Sequence, residues 1–127
     1  MKKKIYSQLL STLLLLSGSL ILPIKPANAE TITDFQSGES YDISLYVASR
    51  GYYTIDLSSH FGADADLYIY DVNNVLLAKA EDLGSDTIEG YLNGGNYRIR
   101  IRMSMCLSDD CTAYITVRRD GRQVSLW

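Results

Sequence analysis

Three arginines, Arg98, Arg100 and Arg102, stand at alternate positions in one segment, and two carboxylates, Asp64 and Asp66, stand two apart in another. Alternate residues of an extended chain share a face. The arginines then form a row of guanidinium groups about 6.5–7 Å apart along one strand. Such a row can steer and hold an acidic polymer, with an attraction that weakens in salt. Arg118 on an expected neighbouring strand, and Tyr46, Tyr68 and Tyr70 at outward positions, extend the row into a candidate ligand face. The competing account is a solvated surface on which each arginine pairs with Asp or Glu across the sheet.

The carboxylates admit three chemistries. Asp64 and Asp66 point to one side, and Asp71, Glu81, Asp82 and Asp86 can join them from neighbouring loops. One chemistry is a glycosidase-like acid and base pair, which also needs a deep sugar cleft. A second is a weak calcium site at Asp64, Asp66 and Asp82, although no EF-hand or nonapeptide-repeat spacing is present. The third is turn formation, in which Asp side chains accept from nearby backbone N–H groups.

Nucleophilic catalysis finds little support. The chain has one histidine, His60, in the loop-like run Ser58-Ser59-His60-Phe61-Gly62. A Ser or Cys nucleophile normally needs a nearby base. No G-x-S-x-G or H-E-x-x-H pattern occurs. The two cysteines, Cys106 and Cys111, flank a polar four-residue run. Two Cys without a nearby His make a poor zinc site. Facing positions of a hairpin would place them at disulfide distance, and export makes a disulfide the expected state.

Export is expected from the first 29 residues. Lys2, Lys3 and Lys4 precede an apolar run from Leu9 to Leu22, then Pro23 and a small-residue A-x-A site at Ala27 and Ala29. This is the layout of a cleaved signal peptide. The apolar run is short of the ~20 residues a membrane span needs. No Cys near the cleavage site suggests a lipid anchor. Cleavage after Ala29 leaves residues 30–127, one domain, with eight Lys and Arg against fifteen carboxylates, a net charge of 8 − 15 = −7. That charge is repelled by phosphate and argues against nucleic acid as a partner.

The elements that must position these residues are strands. Ile43, Leu45 and Val47 alternate with polar residues, as do Tyr53, Ile55 and Leu57, then Leu67 and Ile69, then Tyr97, Ile99, Ile101 and Met103, then Ile115 and Val117. A period of two over several segments marks half-buried strands. Turn signals separate them, among them Asn73-Asn74, Gly94-Gly95-Asn96 and Asp120-Gly121, the last suited to a closing hairpin. Residues 75 to 83 are the best helix candidate, and a short one. Short strands with polar turns imply an all-β sandwich of about eight strands. The terminal Leu126-Trp127 suits the sandwich rim; the chain is too short to be comfortable as a membrane barrel of eight strands of ~10 residues.

Within this pattern, Asp64-Ala65-Asp66-Leu67-Tyr68-Ile69-Tyr70-Asp71 and the later Gly95-Asn96-Tyr97-Arg98-Ile99-Arg100-Ile101 carry a family likeness. With Gly51–Leu57, Asn74–Ala78, Asp86–Ile88 and Tyr114–Val117 in this order, the sequence resembles the bacterial pre-peptidase C-terminal domain, over roughly residues 40 to 118. That family is similar in fold to the collagen-binding domains of clostridial collagenases. The resemblance implies a jelly-roll-like β-sandwich that accompanies secreted hydrolases. It also implies members that bind calcium, collagen or polysaccharide. No peptidase domain precedes the module, so a role in protease maturation does not carry over. The acidic N-terminal calcium segment of the collagen-binding relatives is not evident, because Glu30, Asp34 and Glu39 are scattered.

The expected function is an exported, stand-alone, non-catalytic binding or accessory module, secreted or periplasmic. Its expected partner is a polysaccharide or an extracellular or envelope protein, with no stable membrane insertion after cleavage. The alternative is a structural envelope protein, calcium-stabilised or not, without its own ligand. A small hydrolase using Asp64 or Asp66 stands third. No cofactor other than calcium is indicated.

Overall fold

The structure is a computed structural model that describes residues 2–4 and 30–126. The expected signal-peptide core and cleavage site, and Trp127, lie outside the described residues.

Ten strands are present among the described residues. They are β1 (Lys2–Lys4), β2 (Glu30–Phe35), β3 (Ser40–Val47), β4 (Gly51–Ser59), β5 (Ala63–Tyr70), β6 (Leu76–Ala80), β7 (Asp86–Leu92), β8 (Gly95–Cys106), β9 (Cys111–Arg119) and β10 (Arg122–Val124). They form two sheets. The six-stranded sheet runs β1-β7-β4-β9-β10, with β2 also on β9, and the four-stranded sheet runs β3-β8-β5-β6. Every pairing is antiparallel except β1 on β7. β2 and β10 share one edge of β9 end to end, at residues 111–115 and 117–119.

The expected alternation decides which side chains meet between the sheets. Ile43, Leu45 and Val47 of β3, Leu67 and Ile69 of β5, and Ile99, Ile101 and Met103 of β8 are buried on one side. Tyr53, Ile55 and Leu57 of β4, Ile88 and Leu92 of β7, and Ile115 and Val117 of β9 face them. Burying a side chain of this size contributes roughly 1.5–3 kcal/mol, so this interlayer core is the main stabilising element.

Three strands lack a clean alternation in the sequence. In β7 the inward row Asp86, Ile88, Gly90, Leu92 includes a charge and a glycine. β2 is interrupted by Asp34, whose φ of 60° lies in the left-handed region, where its pairing with β9 shifts register. The short helix candidate is strand β6. A register shift against β5 lets neighbouring Leu77 and Ala78 both be buried, which imitates a helical pattern.

Asp120-Gly121 closes the β9–β10 hairpin with positive φ at both residues, 48° and 84°, the turn that matches strand twist. The Cys106–Cys111 disulfide is present, with Cα atoms 5.9 Å apart. Its setting corrects the hairpin expectation. β8 lies in the four-stranded sheet and β9 in the six-stranded one, so the bond closes an arch between the two layers. Both edges of β8 are already paired, to β3 and β5, which leaves no edge for β9.

Candidate ligand face and the carboxylate end

The outer face of the four-stranded sheet gathers six of the seven residues expected to form a ligand face. Register rows cross it. Ser44, Arg98 and Tyr70 form one, Asp42, Arg100, Tyr68 and Lys79 the next, and Ser40, Arg102 and Asp66 a third. Tyr46 lies at the rim of the face, 68% exposed. The Arg98 guanidinium stacks on the Tyr70 ring at 4.4 Å, and that of Arg100 lies 5.9 Å from the same ring.

One carboxylate on the neighbouring strand, that of Asp42 on β3, holds two of the arginines. Arg100 donates through Nε and Nη2 to the two oxygens of Asp42, at 2.8 and 3.0 Å. Arg98 brings its Nε within 3.5 Å of the same carboxylate and donates through Nη1 to the Asn74 side chain. The hydrogen bond from Arg100 holds the Asp42 carboxyl below its usual range, despite partial burial. Tyr68 donates its hydroxyl to Glu81 at 2.6 Å, and its own ionisation is pushed up by burial and by that bond.

Arg118 does not join this face, contrary to the sequence expectation. It sits on β9, opposite Thr54 of β4, and points outward from the six-stranded sheet. The alternation of β9 placed it outward correctly, but β9 pairs in the other layer. Arg118 donates instead to Asp56, whose second oxygen accepts from the Thr87 hydroxyl at 2.7 Å.

Asp64, Asp66 and Asp86 come together at one end of the sandwich. All three are buried, at 6%, 6% and 0% exposure. Asp64 accepts from the Gly84 N–H at 3.3 Å and lies 3.2 Å from the Ser104 hydroxyl. Asp86 accepts from the Asp82 N–H at 3.1 Å. Asp82 therefore enters through its backbone, as the turn reading of these residues expects. Asp66 Oδ1 and Asp86 Oδ2 are buried without a hydrogen-bond partner. Burial, reinforced by the charges of Asp66, Asp64 and Asp82, pushes the Asp86 carboxyl up to about 7. Burial and the Asp64 charge raise Asp66 as well. Among the described residues no three His, Cys, Asp or Glu side chains are arranged to hold a metal ion.

His60 lies in the β4–β5 connection, with Nδ1 2.8 Å from the Phe61 carbonyl oxygen. Asp42 is the member of the ligand face that sequence reasoning left unnamed. Its outward position was legible from Ile43 and Leu45, but its partner 58 residues away was not.

The two-layer arrangement has a solved counterpart. The crystal structure of the pre-peptidase C-terminal domain of a collagenase from Bacillus anthracis is similar to this chain, with a TM-score of 0.56 and 16% sequence identity, covering 71% of this chain and 89% of that one. The chain has the fold of a pre-peptidase C-terminal domain. No protein-family model and no curated protein sequence matches it. In this chain the fold places the Arg/Tyr face on the outer side of the four-stranded sheet and the buried carboxylates at one end of the sandwich. No helix among the described residues is long and apolar enough to cross a membrane, which says nothing of strands.

Proposed function

We propose that this chain is an exported, non-catalytic accessory module that binds an acidic polymer, a polysaccharide or an acidic stretch of an extracellular protein, on its Arg/Tyr face. The observation that carries the reading is the charge balance of that face. Arg98, Arg100, Arg102 and Lys79 stand against the carboxylates of Asp42, Asp66 and Glu81, and Arg98 and Arg100 share the single carboxylate of Asp42. A local positive excess thus stands on a chain with a net charge of −7 after residue 29. Tyr70 holds Arg98 in place by stacking, which lowers the entropy lost on binding. A non-catalytic role agrees with the burial of Asp64 and Asp66, which keeps both carboxylates from an open cleft.

A second reading, a structural envelope protein without a ligand, is favoured by the bidentate Arg100–Asp42 bond, which already satisfies one arginine internally. The experiment that separates them is a screen of the purified protein against acidic glycans and extracellular matrix proteins. It is repeated with Arg98, Arg100 and Arg102 all replaced by Gln. Binding lost in a folded triple variant supports the module. A triple variant that binds normally, or that is badly destabilised, supports the structural reading.

A further inference from the structure

The opposite side of the sandwich carries a surface of different chemistry. On the outer face of the six-stranded sheet, Thr87, Asp56 and Thr116 form one register row across β7, β4 and β9. The adjoining row places Ser58 and Thr31 on either side of Tyr114. Short side chains make the floor and Tyr114, 41% exposed, makes a wall. The result is an open groove of about 660 Å³.

The floor is built to donate and accept side by side. Asp56 is fixed between the Thr87 hydroxyl and the Arg118 guanidinium. An ionised carboxylate has about four lone-pair directions and a guanidinium five N–H donors, so each keeps capacity for a ligand. A carboxylate beside a guanidinium matches two neighbouring hydroxyls, one donating and one accepting. The hydroxyls of the threonines extend the same pattern along the row. Tyr114 offers a ring face for the C–H side of a pyranose.

The charges select among ligands. The floor itself carries the carboxylate of Asp56, with the buried Asp86 behind it and Arg118 paired to Asp56 at its border, so the groove does not favour an acidic polymer. It also lacks the cluster of apolar anchors on which protein interfaces depend. Further along β4 the same face carries the edge-to-face Tyr52–Tyr91 pair, with centroids 5.0 Å apart. Tyr52 lies six residues from Ser58, so this pair stands about 20 Å from the groove along the strand. Two aromatic stations joined by a polar floor suit an extended sugar chain.

We propose that this groove is a second binding site, for an uncharged, extended polysaccharide, independent of the Arg/Tyr face. The test uses three uncharged β-linked hexasaccharides, of glucose, xylose and N-acetylglucosamine, titrated into the purified protein and followed by calorimetry and by NMR. At least one should bind, shift the Tyr114 and Thr116 resonances, and bind equally at low and high salt. Tyr114→Ala and Thr116→Lys, which removes the wall or fills the floor, should each weaken binding by about tenfold or more. Tyr114→Phe keeps the ring and should bind nearly as the parent does. Replacing Arg98, Arg100 and Arg102 with Gln, which should abolish binding of an acidic polymer to the other face, should leave binding of the neutral sugar to this groove unchanged. The proposal fails if none of the three sugars perturbs Tyr114 at millimolar concentration. It fails equally if the perturbed residues lie on the Arg/Tyr face, or if a folded Thr116→Lys variant binds as well as the parent. Should a variant not fold, the resonance mapping on the parent protein decides.

Discussion

Arg100 and Asp42 meet side-on across the β3–β8 pair, two parallel N–H···O bonds joining residues 58 positions apart. The bond has two consequences that pull in opposite directions. It contributes a little to stability, since both partners are 38% exposed and pairs of this kind yield about 0.2–1 kcal/mol. It also occupies guanidinium groups that a ligand would use. Asp42→Asn should therefore lower stability by no more than about 1 kcal/mol. The same substitution should tighten binding of an acidic ligand and steepen its salt dependence. Chemical denaturation and affinity measured across salt concentrations check both. Weaker binding in Asp42→Asn would show that the carboxylate is part of the ligand site.

The buried Asp86 makes an unusual prediction for pH. Its carboxyl is raised to about 7, above its unfolded value of 3.8, so the folded chain holds a proton that the unfolded chain releases. Stability from this group is fully present below about pH 4 and is lost as pH rises through about 7. Asp86→Asn should remove that slope and raise the melting temperature at neutral pH, by a free energy on the order of 1–3 kcal/mol. Thermal melts of parent and variant at several pH values check it. A parent protein more stable at neutral than at mildly acidic pH would contradict the assignment.

Calcium is the other way to neutralise the same carboxylates. Asp64 already accepts from the Gly84 N–H and the Ser104 hydroxyl, and Asp86 from the Asp82 N–H, so added Ca²⁺ should shift the melting temperature little or not at all. Melts with calcium and with a chelator measure this. A shift of many degrees, lost in Asp66→Asn, would establish a site at Asp64, Asp66 and Asp82.

The disulfide should matter more than its short loop suggests. Loop closure alone gives about 2 kcal/mol in the chain-entropy model. The bond also fastens the end of β8 to the start of β9 in the facing sheet, where Cys111 is fully buried. Replacing both cysteines with Ser should cost about 2 kcal/mol or somewhat more, read from denaturant midpoints. Thiol titration of the denatured, unreduced protein should find no free thiol.

Processing is testable by mass. Cleavage after Ala29 predicts that protein exported by its host begins at Glu30. It also removes Lys2–Lys4, which pairs with Thr87–Glu89 on the edge of β7. The intact mass should match residues 30–127, and the β7 amides facing that edge should exchange freely. A full-length mass in the exported fraction would end the signal-peptide reading.

Much of the molecule follows from its alternation of apolar and polar residues. Ile99, Ile101 and Met103 must turn inward together, and a period of two then leaves no choice but to send Arg98, Arg100 and Arg102 outward. The Asp120-Gly121 turn and the proximity of Cys106 to Cys111 are local and were equally legible. Strand partners are a different matter, because a ladder joins segments that the sequence separates widely, and alternation is the same in either sheet. Arg98 and Arg118 have equivalent patterns, yet they face opposite directions, because β8 pairs with β3 and β5 while β9 pairs with β4, β2 and β10. The same blindness hid the arch at Cys106–Cys111, the pairing of Arg100 with Asp42, and the row that brings Thr87, Asp56 and Thr116 side by side. Asp86 is the clearest case. Its place on the inward row of β7 follows from counting back from Ile88 and Leu92, but only the packing of two sheets and the 81–85 loop leaves it without water.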